Sequence, residues 1–218
     1  AQNVISPSER YSALSELYLA QALSLDNKAS QQQLEKAASA YDLSLKYSYA
    51  YLFKSGSNPN QQTFDLRQMQ VRTFYNYALS RLMRLQFQSN PKQHALHDFS
   101  VDKQKYHIDS THYPELQKLN IQSLQSRYVL NFSGFDKVNR QDGLGAEFIV
   151  ARQNEAKIPN EFILDPITHY ADQPNPRLHH PHYLSVTATV QPVQQTATAH
   201  EIISGQIPFN IHLYNPYQ

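Results

Sequence analysis

Leu184-Ser185-Val186-Thr187-Ala188-Thr189-Val190 carries an apolar side chain at every second position. Successive side chains of a strand point to opposite faces, so this run predicts a strand with one packed face and one wetted face. Phe209, Ile211 and Leu213 repeat the rhythm downstream, and Ala146, Phe148 and Val150 repeat it upstream. Tyr128, Leu130 and Phe132 give a further alternating run, and a weaker strand is read over residues 99–108. Residues 165–181 hold Pro166, Pro174, Pro176 and Pro181, which predicts a long irregular connection. Gly134, Gly143 and Gly145 are three of only five glycines in the chain. Their clustering between two strands marks a turn that needs a close backbone approach or positive φ.

Ahead of Asn90-Pro91 the rhythm is different. Ser6-Pro7-Ser8-Glu9 offers a hydroxyl N-cap, a proline at the first helical position and a carboxylate three residues after the cap. Tyr11, Leu14, Tyr18, Ala22 and Leu25 then recur at spacings of three and four, which predicts a helix with that stripe buried. A second helix is expected over residues 30–54 on Leu34, Ala37, Ala38, Tyr41, Leu45, Ser48 and Leu52. The breaker Gly56-Ser57-Asn58-Pro59-Asn60 separates it from a third, marked by Phe64, Val71, Phe74, Tyr75, Ala78, Leu82 and Leu85. The chain therefore reads as α+β. A helical bundle or set of helical hairpins spans residues 1–90, and a mostly antiparallel β-sheet region spans 91–218. The alanine- and tyrosine-rich hairpins suggest tetratricopeptide repeats, but three helices establish no 34-residue period and the repeat consensus is missing.

The 218 residues are 40 % apolar and 17 % charged, with a mean hydropathy of −0.60 that reflects many Gln, Asn, Ser and Thr. Such a chain can bury a core. Its formal charge of +1 supplies no field to hold a nucleic-acid backbone, and no apolar run reaches the length of a membrane span. With no cysteine, thiolate chemistry and disulfides are excluded.

Motifs that carry chemistry are weak. Gly143-Leu144-Gly145 lacks a third glycine and precedes a strand, where a phosphate-binding turn needs a helix N-terminus. His179-His180-Pro181-His182 is the densest histidine group, yet neighbouring strand positions face apart and the proline bends the segment; a solvated loop is expected. His200-Glu201 has serine at 204 where a zinc protease helix needs its second histidine. His94 and His97 are expected at the surface. No Gly-x-Ser-x-Gly pentapeptide exists, so no catalytic residue, metal ligand or cofactor is assigned. Tyr41, Tyr47, Tyr49, Tyr51, Tyr75 and Tyr77 are too widely spread around two helices to share one core. Tyrosine combines apolar area with a polar tip, and Tyr47, Tyr51 and Tyr77 are expected exposed, as partner-binding residues.

Asn139-Arg140-Gln141-Asp142-Gly143-Leu144-Gly145-Ala146-Glu147-Phe148-Ile149-Val150 resembles a segment of bacterial cell-envelope, lipoprotein-type proteins related to α/β hydrolases. Arg127 to Gly134 upstream, and His182 to Ala188 and Phe209 to Pro216 downstream, resemble the strands on either side, and the N-terminal helices resemble the helical region ahead of the hydrolase portion. The resemblance implies a periplasmic or outer-membrane-associated protein with a lipidated cysteine upstream of Ala1. In that family the nucleophile lies beyond a strand like 209–215. It implies that this chain is a non-catalytic module contacting an envelope protein or a covalently following hydrolase-like domain. The alternative is an accessory part of a serine ester or lipid hydrolase whose catalytic half is absent here.

Overall fold

The computed structural model describes residues 4–27, 30–56, 65–90, 94–118, 120–127, 143–152 and 182–217. Three long helices come first: α1 (Pro7–Asp26), α2 (Gln31–Lys54) and α3 (Leu66–Ser89). Each starts where a side-chain oxygen can take up an orphaned backbone donor. Ser6 and Glu9 close the expected capping box with Pro7 behind it, Ser30 accepts from Gln33 N, and Asp65 accepts from Arg67 N at 2.9 Å.

α1 departs from the expected stripe. Its buried residues are Ser12, Ser15, Leu19 and Ala22, while Tyr11, Leu14, Tyr18 and Leu25 are only half-buried. The serine hydroxyls are satisfied within the helix, Ser12 donating to Glu9 O and Ser15 to Ser12 O. Ser44 of α2 donates to Ser15 O at 2.8 Å. Small, self-satisfied side chains let α1 and α2 approach closely and push the larger rings to the flank. α2 is the central helix and is buried around most of its circumference.

The expected strand over 99–108 is a hairpin instead, β1 (Phe99–Val101) and β2 (Gln104–Asp109), turned at Asp102 with φ of 51°. A 3-10 turn (Pro114–Lys118) leads to β3 (Ile121–Ser126), which the periodicity did not reveal. β4 (Ala146–Arg152), β5 (His182–Pro192), the short helix α4 (Ala199–Ser204) and β6 (Phe209–Tyr214) complete the chain. α4 was also unread; Thr198 and Glu201 cap it and Gly205, at φ 78°, ends it. Phe64, Tyr128 to Phe132, Gly134, Asn139 to Asp142 and the His179-His180 pair lie outside the described residues.

The six strands form one mixed sheet in the order β1-β2-β6-β5-β4-β3. All neighbouring pairs are antiparallel except β2 and β6, which run parallel with Tyr106 opposite Phe209 and Asp109 opposite His212. Phe148, Val150, Val186, Ala188, Val190, Phe209, Ile211 and Leu213 are buried on the helix-facing side. Helices and sheet share a single cluster of buried side chains. An aromatic chain crosses the layers: Tyr49 meets Phe209 at 5.5 Å, Phe209 stacks on Tyr106 at 5.8 Å, and Tyr106 stacks on Phe99 at 4.8 Å.

Candidate functional site

Tyr47 lies on the solvent-facing flank between α1 and α2. Its ring stacks on Tyr18 at 5.7 Å and 6°, and tilts against Tyr11 at 6.3 Å. Arg10 lies over the Tyr11 ring at 5.7 Å, within cation–π reach. All three rings are half-buried, and burial, then Tyr18, raises the Tyr47 phenol above its ordinary range. The three expected partner-binding tyrosines are not equivalent. Tyr47 and Tyr77 are both half-buried, Tyr77 against Tyr41 at 6.1 Å. Tyr51 is only 6 % exposed, a correction to the expectation that its ring is available at the surface. The reason is the central position of α2, where neighbours cover positions that would be open on an outer helix. Tyr11 and Tyr18, expected in the buried stripe of α1, are half-buried and complete this aromatic flank. Leu17, 62 % exposed on α1, adds apolar area on the outer side of that helix.

Two largely buried charged clusters lie elsewhere in the fold. Asp26, at the end of α1, receives both Arg81 Nε and Nη2 at 2.8 and 2.7 Å and the Tyr41 hydroxyl at 2.7 Å. Burial is the main cause that pushes the Tyr41 phenol up, and Asp26 adds to it. Asp42 accepts the Tyr106 hydroxyl at 2.5 Å and pairs with Lys46 at 2.6 Å, in a setting where both charged side chains are more than nine-tenths covered. Burial raises the Asp42 carboxyl and Lys46 opposes that rise. Gly205 approaches so closely that a Cβ there would stand 3.3 Å from Lys46 Nζ. These groups tie elements together: the first joins α1, α2 and α3, and the second joins α2 to β2.

The outward face of the sheet carries two histidine–carboxylate pairs. Asp98 accepts from Ile108 N and meets His107 Nδ1 at 3.0 Å. Asp109 meets His212 Nδ1 at 2.8 Å and accepts both the amide and hydroxyl of Thr111. His112 stacks on Tyr214 at 5.4 Å beside them. A carboxylate on Nδ1 orients an imidazole as it does in hydrolytic triads. Among the described residues no hydroxyl is hydrogen-bonded to the other ring nitrogen of His212. Among the described residues no three His, Cys, Asp or Glu side chains are placed to hold a metal ion. His94 and His97 are exposed as expected, and no described helix is long and apolar enough to cross a membrane.

The Gly143-Leu144-Gly145 turn is built into the fold. Asn76 of α3 donates to Gly143 O at 2.8 Å and accepts from Gly145 N at 2.7 Å. Gly145 adopts φ of 132°, and a Cβ there would stand 2.7 Å from Thr187 Cγ2. Only glycine fits, which is a packing reason and needs no phosphate. No protein-family description, curated protein or solved structure matches this chain.

Proposed function

We propose that this chain is a non-catalytic contact module of the bacterial cell envelope, which docks a protein partner on the α1/α2 flank. The observation that carries the reading is the half-buried Tyr47 ring stacked on Tyr18 and tilted against Tyr11. Rigid tyrosines offer large contact area at low entropic cost, which suits an interface. The envelope location, periplasmic or outer-membrane-associated, rests on the resemblance at residues 139–150, as does the identification of the partner with an envelope protein or a following hydrolase-like domain. No cofactor is required.

Photocrosslinking amino acids at positions 18 and 47 test it in cells. Both positions should give the same discrete adduct, identified by mass spectrometry, and position 191 on the opposite face of the sheet should give none. Absence of an adduct, or equal labelling from the control position, overturns the reading.

The second reading, an accessory part of a serine ester or lipid hydrolase, draws on the Asp109–His212 pair. Turnover of acyl esters by the purified chain, abolished by a serine-directed inhibitor and by His212→Asn, would overturn the non-catalytic reading.

A further inference from the structure

We infer that a single internal water molecule binds in a polar recess where α2, β2 and the end of α4 meet, and that it joins Lys46 to Gln104. Gln104 opens β2 and is 1 % exposed. Its Nε2 donates to Lys105 O at 3.0 Å and to Ile207 O at 2.9 Å. Those two carbonyls fix the orientation of the amide, because the reversed amide would set its oxygen against two acceptors. Oε1 is thereby held away from both, and among the described residues it is buried without a hydrogen-bond donor. A buried amide oxygen loses its hydration on folding, so an unmatched one calls for a donor from outside the protein.

The group facing it across the recess has the complementary need. Lys46, 5 % exposed, carries three N–H donors and pairs with Asp42 Oδ2 at 2.6 Å, while Asp42 Oδ1 takes the Tyr106 hydroxyl. Lys46 Nζ and Gln104 Oε1 converge on the position that a β-carbon of Gly205 would occupy, at 3.3 and 3.8 Å from it, with the Gln104 backbone N also at 3.8 Å. Gly205, at φ 78°, ends α4 and puts no side chain there. Charge and hydrogen-bond sense then select the occupant. A metal ion is repelled by the ammonium, and chloride would satisfy the ammonium but offers no proton to Oε1. Water accepts from Lys46 and donates to Gln104, the pattern in which internal waters serve buried polar groups. The contact of α4 with α2 and the sheet is thus bridged by solvent as well as by side chains.

Two measurements on the whole chain test this. A high-resolution crystal structure should show one water within roughly 2.7–3.2 Å of both Gln104 Oε1 and Lys46 Nζ. In solution, oxygen-17 relaxation dispersion counts long-lived waters without interference from exchanging ammonium protons. Gln104→Leu, which removes the acceptor, should lower that count by one per chain; if this variant does not fold, Lys46→Met, which removes the donor, should give the same loss. An Oε1 bonded directly to Lys46 Nζ or to another protein donor, a recess without water density, or an unchanged count in a folded variant overturns the proposal. The crystallographic arm needs no substitution, so misfolding of both variants leaves it decisive.

Discussion

Asn76 Oδ1 accepts the amide of Gly145 at 2.7 Å, so a side chain of α3 positions the backbone at the entrance to β4. The same side chain donates to Gly143 O, and Asn76 is fully buried. Asn76→Ala would leave two main-chain groups without partners, a cost of about 2–4 kcal/mol. For a chain of this size that corresponds to a melting temperature lower by roughly 5–12 °C, measurable by circular dichroism. Gly145→Ala should be at least as damaging, because the added methyl meets both an unfavourable φ and Thr187. A Gly145→Ala protein with unchanged melting would contradict this packing.

The Tyr75 hydroxyl accepts the amide of Val190 at 2.7 Å. β4 pairs with β5 only as far as Ala146 opposite Ala188, so the phenol takes over where that neighbour strand ends. Tyr75→Phe preserves the ring and removes the acceptor. Chemical denaturation should show a loss of about 1–3 kcal/mol. Amide exchange at Val190 should accelerate more than at Ala188, and uniform acceleration would argue against a local role.

Asp26 supports three helices through one carboxylate. Asp26→Asn weakens both guanidinium contacts and leaves Arg81, 14 % exposed, without its counter-charge. A loss of about 3–5 kcal/mol is expected, since removing one partner of a largely buried pair strands the other. Arg81→Lys should recover only part of it, because an ammonium cannot reproduce the two-pronged contact. Equal stability of Arg81→Lys and the unsubstituted chain in urea titrations would show that the fork geometry is unimportant.

Acid response has a definite sign. Asp109 is held below the ordinary carboxylate range chiefly by Thr111, with His212 adding to it, and Asp98 is lowered chiefly by His107. For such groups the stabilisation is complete above the unfolded value, about 4, and drains as pH falls through the lower folded values. Asp42 acts in the opposite direction: burial raises its folded value, so its contribution is present at low pH and is lost as pH rises. Stability measured from pH 6 to pH 2 should therefore fall less steeply in Asp109→Asn and more steeply in Asp42→Asn. The reverse order of slopes would refute the assignment.

The helices were legible because their starts are written in local chemistry: Ser6, Pro7 and Glu9 act within one turn, and Ala37, Tyr41, Leu45 and Ser48 share a face by spacing alone. The β4, β5 and β6 alternations were equally local. What escaped reading depends on distant partners. Ser12 and Ser15 look like surface residues until their hydroxyls are seen bonded inside α1. Asp42, Lys46 and Asn76 are polar residues in the core, tolerated because a complementary group arrives from another element. β3, Ile121-Gln122-Ser123-Leu124-Gln125-Ser126, has too few apolar positions to announce itself, and its register shifts between Ile121 and Ser123. On the proposed contact face, Tyr47 is half-buried, and Tyr11 and Tyr18, expected in the buried stripe, are half-buried too, because Ser12 and Ser15 take the most buried positions of α1. The His–Asp pairs join residues brought together only by the sheet, so no spacing rule could find them.

The parallel seam between β2 and β6 matters during translation. Tyr106 leaves the ribosome about a hundred residues before Phe209, its register partner. At roughly 5–20 residues per second the β1–β2 hairpin waits on the order of 5–20 s with its inner edge unmatched. Nascent chains arrested before residue 209 should accordingly be the forms most dependent on chaperone shielding, because an unpaired strand edge invites association with other chains.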